Sequence, residues 1–222
     1  MKISSTDTFQ KISQEKRDTV FQAAVREFAS NGYNKASMNV ISKTAGIAKG
    51  SLFQYFVNKS GLFQAVVDYT ANQVRDYLRA ARVDTIGWDF YARLEHIMRQ
   101  GFMFIENHPR LAKIYFNLLQ SDDVPDGAEW ISSLNLQSRK FLQKLIEEGI
   151  GLEEVSPEID VERISYLINL LLEDLLRAYF SKHIAQNLGL FQADISEREI
   201  WIATLVNLVK FGISNPVHAE TP

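Results

Sequence analysis

From Ile164 to Phe180 large apolar residues return at three- and four-residue intervals, through Leu167, Ile168, Leu171, Leu172, Leu175, Leu176 and Tyr179. That period marks one side of an α-helix, and a stripe so continuous must be covered by other elements. The same period runs through Val20, Phe21, Ala24, Val25 and Phe28, and through Leu62, Phe63, Val66, Val67, Thr70, Val74 and Tyr77. Strand-like alternation at period two is absent, so the chain is expected to be all-α. Helices are expected over 14–31, 59–82, 87–106, 109–120, 127–148, 160–186 and 197–211. The breaks between the later ones carry turn residues, namely Asn107-His108-Pro109, Ser121 to Pro125, Gly149-Ile150-Gly151 and Ser156-Pro157. Ser196 followed by Glu199 matches a capping box for the last helix.

A chain of 222 residues that is 46% hydrophobic can hold a large core in two helical domains. It has no cysteine, which excludes a disulfide framework and a thiolate metal site and suits a reducing cytoplasm. The first residues lack an apolar leader, and the best membrane candidate, 164–180, is interrupted by Asn169, Glu173, Asp174 and Arg177. A cytoplasmic protein without a membrane partner is expected.

Residues 37–59 carry the chemistry. Ser37 is placed to cap a short helix with Val40 and Ile41 on its apolar side, and Gly46 supplies a residue that tolerates positive φ where the backbone must turn. A second short helix then opens on the small or cationic Lys49, Gly50 and Ser51. In a helix-turn-helix, these are the positions that approach base edges in the major groove. Lys49 suits guanine or a phosphate, Gln54 suits adenine, and the Tyr55 hydroxyl suits a phosphate oxygen. Leu52 and Phe56, at i,i+4 spacing, read as scaffold. Asn58 is placed to cap the next helix, whose N-terminus, with Lys59, favours a phosphate. Charge agrees with this division. Residues 1–60 hold nine Lys/Arg against four Asp/Glu, a net +5, and the remainder holds fifteen against twenty-three, a net −8. A basic third attracts phosphate while an acidic remainder limits nonspecific adhesion.

Residues from about 16 to 69 resemble the DNA-binding domain of the TetR family of bacterial transcriptional regulators. The resemblance rests on Phe28-Ala29-Ser30-Asn31-Gly32-Tyr33, Ser37, Ile41-Ser42, Ala45-Gly46-Ile47, Lys49-Gly50-Ser51, Phe53-Gln54-Tyr55-Phe56 and Lys59. Two positions depart from the pattern. Phe53 replaces a common tyrosine, which removes a hydroxyl and leaves packing, and Ser42 replaces a common alanine.

The resemblance implies a helix-turn-helix domain over 12–72 with its reader at 37–56, and a helical ligand-binding and dimerisation bundle over 73–214. Residues 1–11 and 215–222 are expected to be tails. Double-stranded DNA contacts are expected from Ser37, Asn39, Lys49, Gly50, Ser51, Phe53, Gln54, Tyr55 and Lys59. The final helix, with Ile202 and Val206 flanking Ile200, Trp201, Leu205, Leu208 and Val209, is broader in apolar surface than one seam requires, and homodimer contacts are expected from Leu172, Leu176, Tyr179, Trp201, Leu205 and Leu208. Pocket candidates for an unidentified small-molecule effector are Phe102, Tyr115, Phe116, Trp130, Tyr166 and Glu173. A repressor released from a near-palindromic operator is the reading, with an activator of the same fold sharing every residue argument.

An enzyme, or a helical ligand-binding protein with an N-terminal interaction module, is the contrasting class. His96, His108, His183 and His218 form no His-x3-His pair, and none follows a Glu at the di-iron spacing. Gly149 and Gly151 extend to no dinucleotide or phosphate loop, and no Gly-x-Ser-x-Gly elbow occurs. No metal, cofactor or catalytic residue is expected.

Overall fold

Helix α2 (Gln14–Lys35) opens on Ser13, whose hydroxyl accepts from the Lys16 N–H at 3.4 Å. At Gly32 its backbone leaves helical geometry, with φ 67° and ψ 176°, and then resumes to Lys35. The expected end at Gly32 is thus a kink, which glycine permits and other residues resist. The computed structural model describes residues 6–120, 124–185 and 187–213. Among them there are ten α-helices and no strand, so the fold is all-α.

The others are α1 (Asp7–Lys11), α3 (Met38–Thr44), α4 (Lys49–Tyr55), α5 (Lys59–Asp84), α6 (Phe90–Asn107), α7 (Pro109–Leu119), α8 (Gly127–Gly151), α9 (Val161–Phe180) and α10 (Ile195–Ile213). The expected helix 160–186 ends six residues early, because Ser181 is extended and its N–H closes the last turn on the Arg177 carbonyl. The expected capping box at Ser196 is displaced. Asp194 accepts from the Glu197 N–H and the Ser196 hydroxyl, while Glu199 turns to Arg99.

Two compact units result. The first runs to Val74 and takes in His108–Ile131; the second spans Arg75–Asn107 and resumes at Ser132. The expected boundary at 72 therefore misses one element, since α7 packs on α2 in the first unit. The core of that unit joins Val20, Ala24 and Phe28 of α2 to Ile41, Leu52, Phe56, Leu62 and Val66, all essentially without solvent contact. Phe63 meets Phe28 edge-on at 4.8 Å and Trp130 at 5.7 Å. Asn58 caps α5 as expected, accepting from the Gly61 N–H at 2.8 Å.

In the second unit α6 is central, capped by Asp89 through the N–H groups of Tyr91 and Ala92, and packed on α9 and α10. Gly101 lets Leu176 approach: a Cβ there would stand 2.9 Å from Leu176 Cδ1. Arg99 grips Glu199 through two nitrogens, and Arg198 pairs with Glu106 while lying over the rings of Phe102 and Tyr179. The expected tail 1–11 is corrected in its described part, because α1 buries Phe9. The expected tail 215–222 and His218 lie outside the described residues.

Gly149 offers a test of the second unit. An added Cβ would meet Val155 Cγ2 at 2.9 Å and Phe90 Cβ at 3.2 Å, and both residues are fully buried. Alanine gains about 1 kcal/mol of helix propensity, whereas overpacking costs about 1–3 kcal/mol. Gly149→Ala should lower unfolding free energy by about 1 kcal/mol in urea titrations; a more stable variant would show that Phe90 and Val155 have room to move.

Candidate nucleic-acid interface

The junction between α3 and α4 is closed by three backbone bonds. The Gly46 N–H donates to the Lys43 carbonyl at 3.2 Å, the Ile47 N–H to Ser42 at 3.0 Å, and the Ala45 N–H to Ile41 at 2.9 Å. Gly46 has φ 66°. This is a Schellman ending, in which a left-handed residue allows the last carbonyls of a helix to be met. The Ser37 side chain does not cap α3, contrary to expectation. Instead its N–H donates to the buried Glu27 carboxylate at 3.0 Å, so a carboxylate from α2 holds the entry to α3.

Helix α4 is sharply two-sided. Leu52, Tyr55 and the following Phe56 are buried, whereas Lys49, Gly50, Phe53 and Gln54 are exposed and Ser51 is half-buried. On α3, Asn39, Val40, Lys43 and Thr44 are exposed beside the half-buried Ser37. Val40, expected to pack on a neighbour, is 46% exposed, and Phe53, expected among the DNA contacts although its missing hydroxyl left it only packing to offer, is 41% exposed. Lys49 sits above the Phe53 ring at 5.9 Å, as i,i+4 spacing allows. Neither Lys43 nor Lys49 joins an ion pair among the described residues. A Cβ built on Gly50 meets nothing within 4 Å, so nothing inside the unit demands glycine there.

Two expected phosphate contacts are placed differently. The Tyr55 ring is buried against Phe9 at 5.5 Å. Lys59 donates to the carbonyls of Asn34 at 3.0 Å and Ala36 at 3.4 Å, with its ammonium 4.8 Å over Tyr33. Lys59 therefore fastens the end of α2, where free carbonyls favour a cation. One of its three N–H donors remains for an outside anion.

Sequence reasoning missed α1. Phe9 fills a nest formed by Phe21, Tyr55 and Phe56, with centroids at 5.4, 5.5 and 4.7 Å. Thr6 donates its hydroxyl to the Gln54 carbonyl at 2.6 Å and its N–H to the Tyr55 carbonyl at 3.0 Å. Two orphan carbonyls at the end of α4 are thus met from outside the helix. Arg17 ties the segment down by donating to the Gln10 carbonyl. A five-residue helix with one apolar anchor has no period to detect; an isolated Phe behind a Thr cap was the available signal.

Elsewhere the expected clusters divide. Tyr115, Phe116 and Trp130 belong to the first unit and Phe102, Tyr166 and Glu173 to the second, so neither unit gathers the six pocket candidates. Phe102 is core beneath Tyr179 and Arg198, and Tyr166 is exposed beneath Arg139. Of the dimer candidates, Tyr179 and Leu205 are buried within the chain, Leu176 packs on Gly101, and Leu172 and Trp201 are half-buried. Leu208 is exposed. It lies on α10 with Ile200 and Phe211, while Tyr166, Leu167, Leu170 and Leu171 are exposed on α9. Among the described residues no His/Cys/Asp/Glu group could hold a metal, and no helix is long and apolar enough to cross a membrane.

A two-helix reader with its turn locked and one face unengaged defines a helix-turn-helix DNA-binding protein. The family model for bacterial regulatory proteins of the tetR family matches residues 20–66. Over 185 residues the chain is 25% identical to the Bacillus subtilis HTH-type transcriptional regulator YvdT, covering 81% of this chain and 91% of that protein. A TetR family transcriptional regulator from Chloroflexus aurantiacus superposes with TM-score 0.66 at 28% identity, over 95% of this chain and 98% of that one. The structure of Bacillus subtilis FadR in complex with stearoyl-CoA superposes with TM-score 0.71 at 18% identity, over 88% and 98%. Residues 20–66 thus match the DNA-binding domain of the tetR family, and over most of its length the chain is similar to TetR-family regulators; it is a DNA-binding transcriptional regulator rather than an enzyme.

Removing the Thr6 hydroxyl bond should cost about 1 kcal/mol, and emptying the Phe9 nest about 3 kcal/mol. Thr6→Ala should accelerate hydrogen exchange in α4 and lower the urea midpoint of the first unit slightly, and Phe9→Ala should lower that midpoint by more. Unchanged α4 exchange in Thr6→Ala would remove Thr6 from its capping role.

Proposed function

We propose that this regulator is a cytoplasmic homodimeric repressor, seated on a near-palindromic operator and released when a small molecule occupies the helical second unit. The observation that carries the reading is the unengaged face of α3 and α4. Among the described residues Lys43 and Lys49 have no carboxylate partner, Gln54 presents an amide, and nothing requires the small size of Gly50. Close approach of a DNA backbone does require it. In this reading Gln54 and Lys49 meet base edges, and Ser37, Asn39 and Ser51 position the reader on phosphates. Phe53 presents an apolar edge suited to a thymine methyl group. Lys59 and Tyr55 act chiefly by holding the reader, Lys59 with one donor left for phosphate.

Pairing of readers is supported by the exposed apolar faces of α9 and α10, which water leaves as a cost until a second copy covers them. Control by a ligand is supported by the stearoyl-CoA held in the structure of FadR, which shares the fold. A ligand shifts the equilibrium only through unequal affinity for the bound and released forms.

Fluorescence anisotropy on fragments flanking the protein's own gene tests the reading. Binding should fall steeply with salt through counterion release, and Lys49→Ala or Gln54→Ala should change base preference by about 1–3 kcal/mol at single positions. No salt-dependent binding to any fragment would overturn it. Leu208→Glu with Phe211→Glu should give folded monomers that bind operator weakly, because both positions are exposed within the chain. Intact dimers in sedimentation would exclude this face.

A further inference from the structure

In the second unit, the end of α5 carries a charge cluster that the reader does not use. Arg82, in the last turn of α5, donates to Glu148 Oε1 at 2.6 Å, and Arg93 of α6 donates to Oε2 at 2.7 Å. Beside them lies a cavity of about 20 Å³, lined also by Phe141, Lys144 and Leu145 of α8. That volume holds about one water. The Arg93 side chain is only 12% exposed, and its Nε is buried without an acceptor among the described residues. An unmet buried donor is costly, more so on a charged group. The cavity lining thus holds three cations to one carboxylate, two of them paired with it, together with the apolar Phe141 and Leu145.

Burial opposes ionisation of Glu148, yet the hydrogen bonds and charges of Arg93 and Arg82 outweigh it and hold the carboxyl below its ordinary range. Glu148 is nevertheless 36% exposed, so it can turn to solvent without dragging the helix. The space between the two arginines is already shaped by a carboxylate.

We propose that this cavity is the anion subsite for the effector, taking the carboxylate of an organic acid whose apolar body rests on Phe141 and Leu145. This rests on the reading of the chain as a ligand-responsive regulator. The incoming carboxylate takes the place that Glu148 vacates. It accepts from Arg93 through Nη2 and the unmet Nε, the fork that guanidinium offers a carboxylate, and from Arg82 and Lys144 at the rim. Glu148 no longer bridges Arg82 of α5 and Arg93 of α6 to α8. The last turn of α5 is thereby released from α8, and α5 is the helix that begins directly after the reader.

The full-length protein, without DNA, is titrated by calorimetry with benzoate and hexanoate, and with benzamide and hexanamide as neutral counterparts. The acids should bind and the amides should not. Glu148→Gln removes the internal competitor and should tighten acid binding about tenfold, an effect a merely structural ion pair would not produce. Arg93→Gln should abolish binding. Because that variant disturbs a buried group, the exposed Lys144→Gln gives a second reading, with about threefold weaker binding. Equal binding of amides and acids, no binding of either acid to wild type and Glu148→Gln, or unchanged acid affinity in Glu148→Gln would each overturn the subsite. Such a result would leave operator binding intact, whereas failure of the regulator reading appears as absent DNA binding with acid binding preserved.

Discussion

The reader depends on the burial of one side of a seven-residue helix. A helix as short as α4 does not persist alone, because nucleation outweighs the few hydrogen bonds it closes. Leu52 and Phe56 supply the missing stability by entering a core with Phe9, Phe21 and α2, and Tyr55 joins them. Once those side chains are inside, the others have no choice of direction. Lys49, Gly50, Phe53 and Gln54 face outward because three neighbours are held inward. The Schellman turn at Gly46, the Glu27 bond to the Ser37 N–H and the Thr6 contacts then remove the remaining freedom at both ends of the reader.

The second unit solves a different problem. Its helices α9 and α10 pack on α6, and most of its charged groups there are answered by partners. Arg99 is answered by Glu199 and Glu95, and Arg198 by Glu106 and two aromatic faces. These partly exposed pairs contribute more to register between helices than to net stability, since solvent screens them. The Arg82–Glu148–Arg93 bridge differs in that two arginines share one carboxylate, and Arg93 Nε, like Arg177 Nε and Trp201 Nε1, is buried without a partner among the described residues.

Much of this was legible along the chain. The three-and-four spacing specified helices, and the core of the first unit contains Val20, Phe28, Leu52, Phe56, Leu62 and Val66, each named by its spacing. Gly46 and Asn58 play their expected roles because turn and cap chemistry are local. Val40 was misread because apolar character suggests burial, yet the buried face of α3 is taken by Ile41 and Ser42, which leaves Val40 outside. Tyr55, Leu205 and Tyr179 erred the other way: their chemistry suits an interface, and only packing shows that their own chain already covers them. Phe9 was invisible because five residues carry no period.

The sequence by itself determined the helical class, the reader's position, its glycine turn and its charge, since each follows from residues within one or two turns of one another. Tertiary structure alone decided which residues stay available. Lys59 is chemically suited to phosphate but is committed to Asn34 and Ala36, because the kink at Gly32 brings those carbonyls within its reach. Helix α7 joins the first unit rather than the second for a comparable reason: its amphipathic pattern states that a face must be buried, and which neighbour buries it is a property of the folded chain.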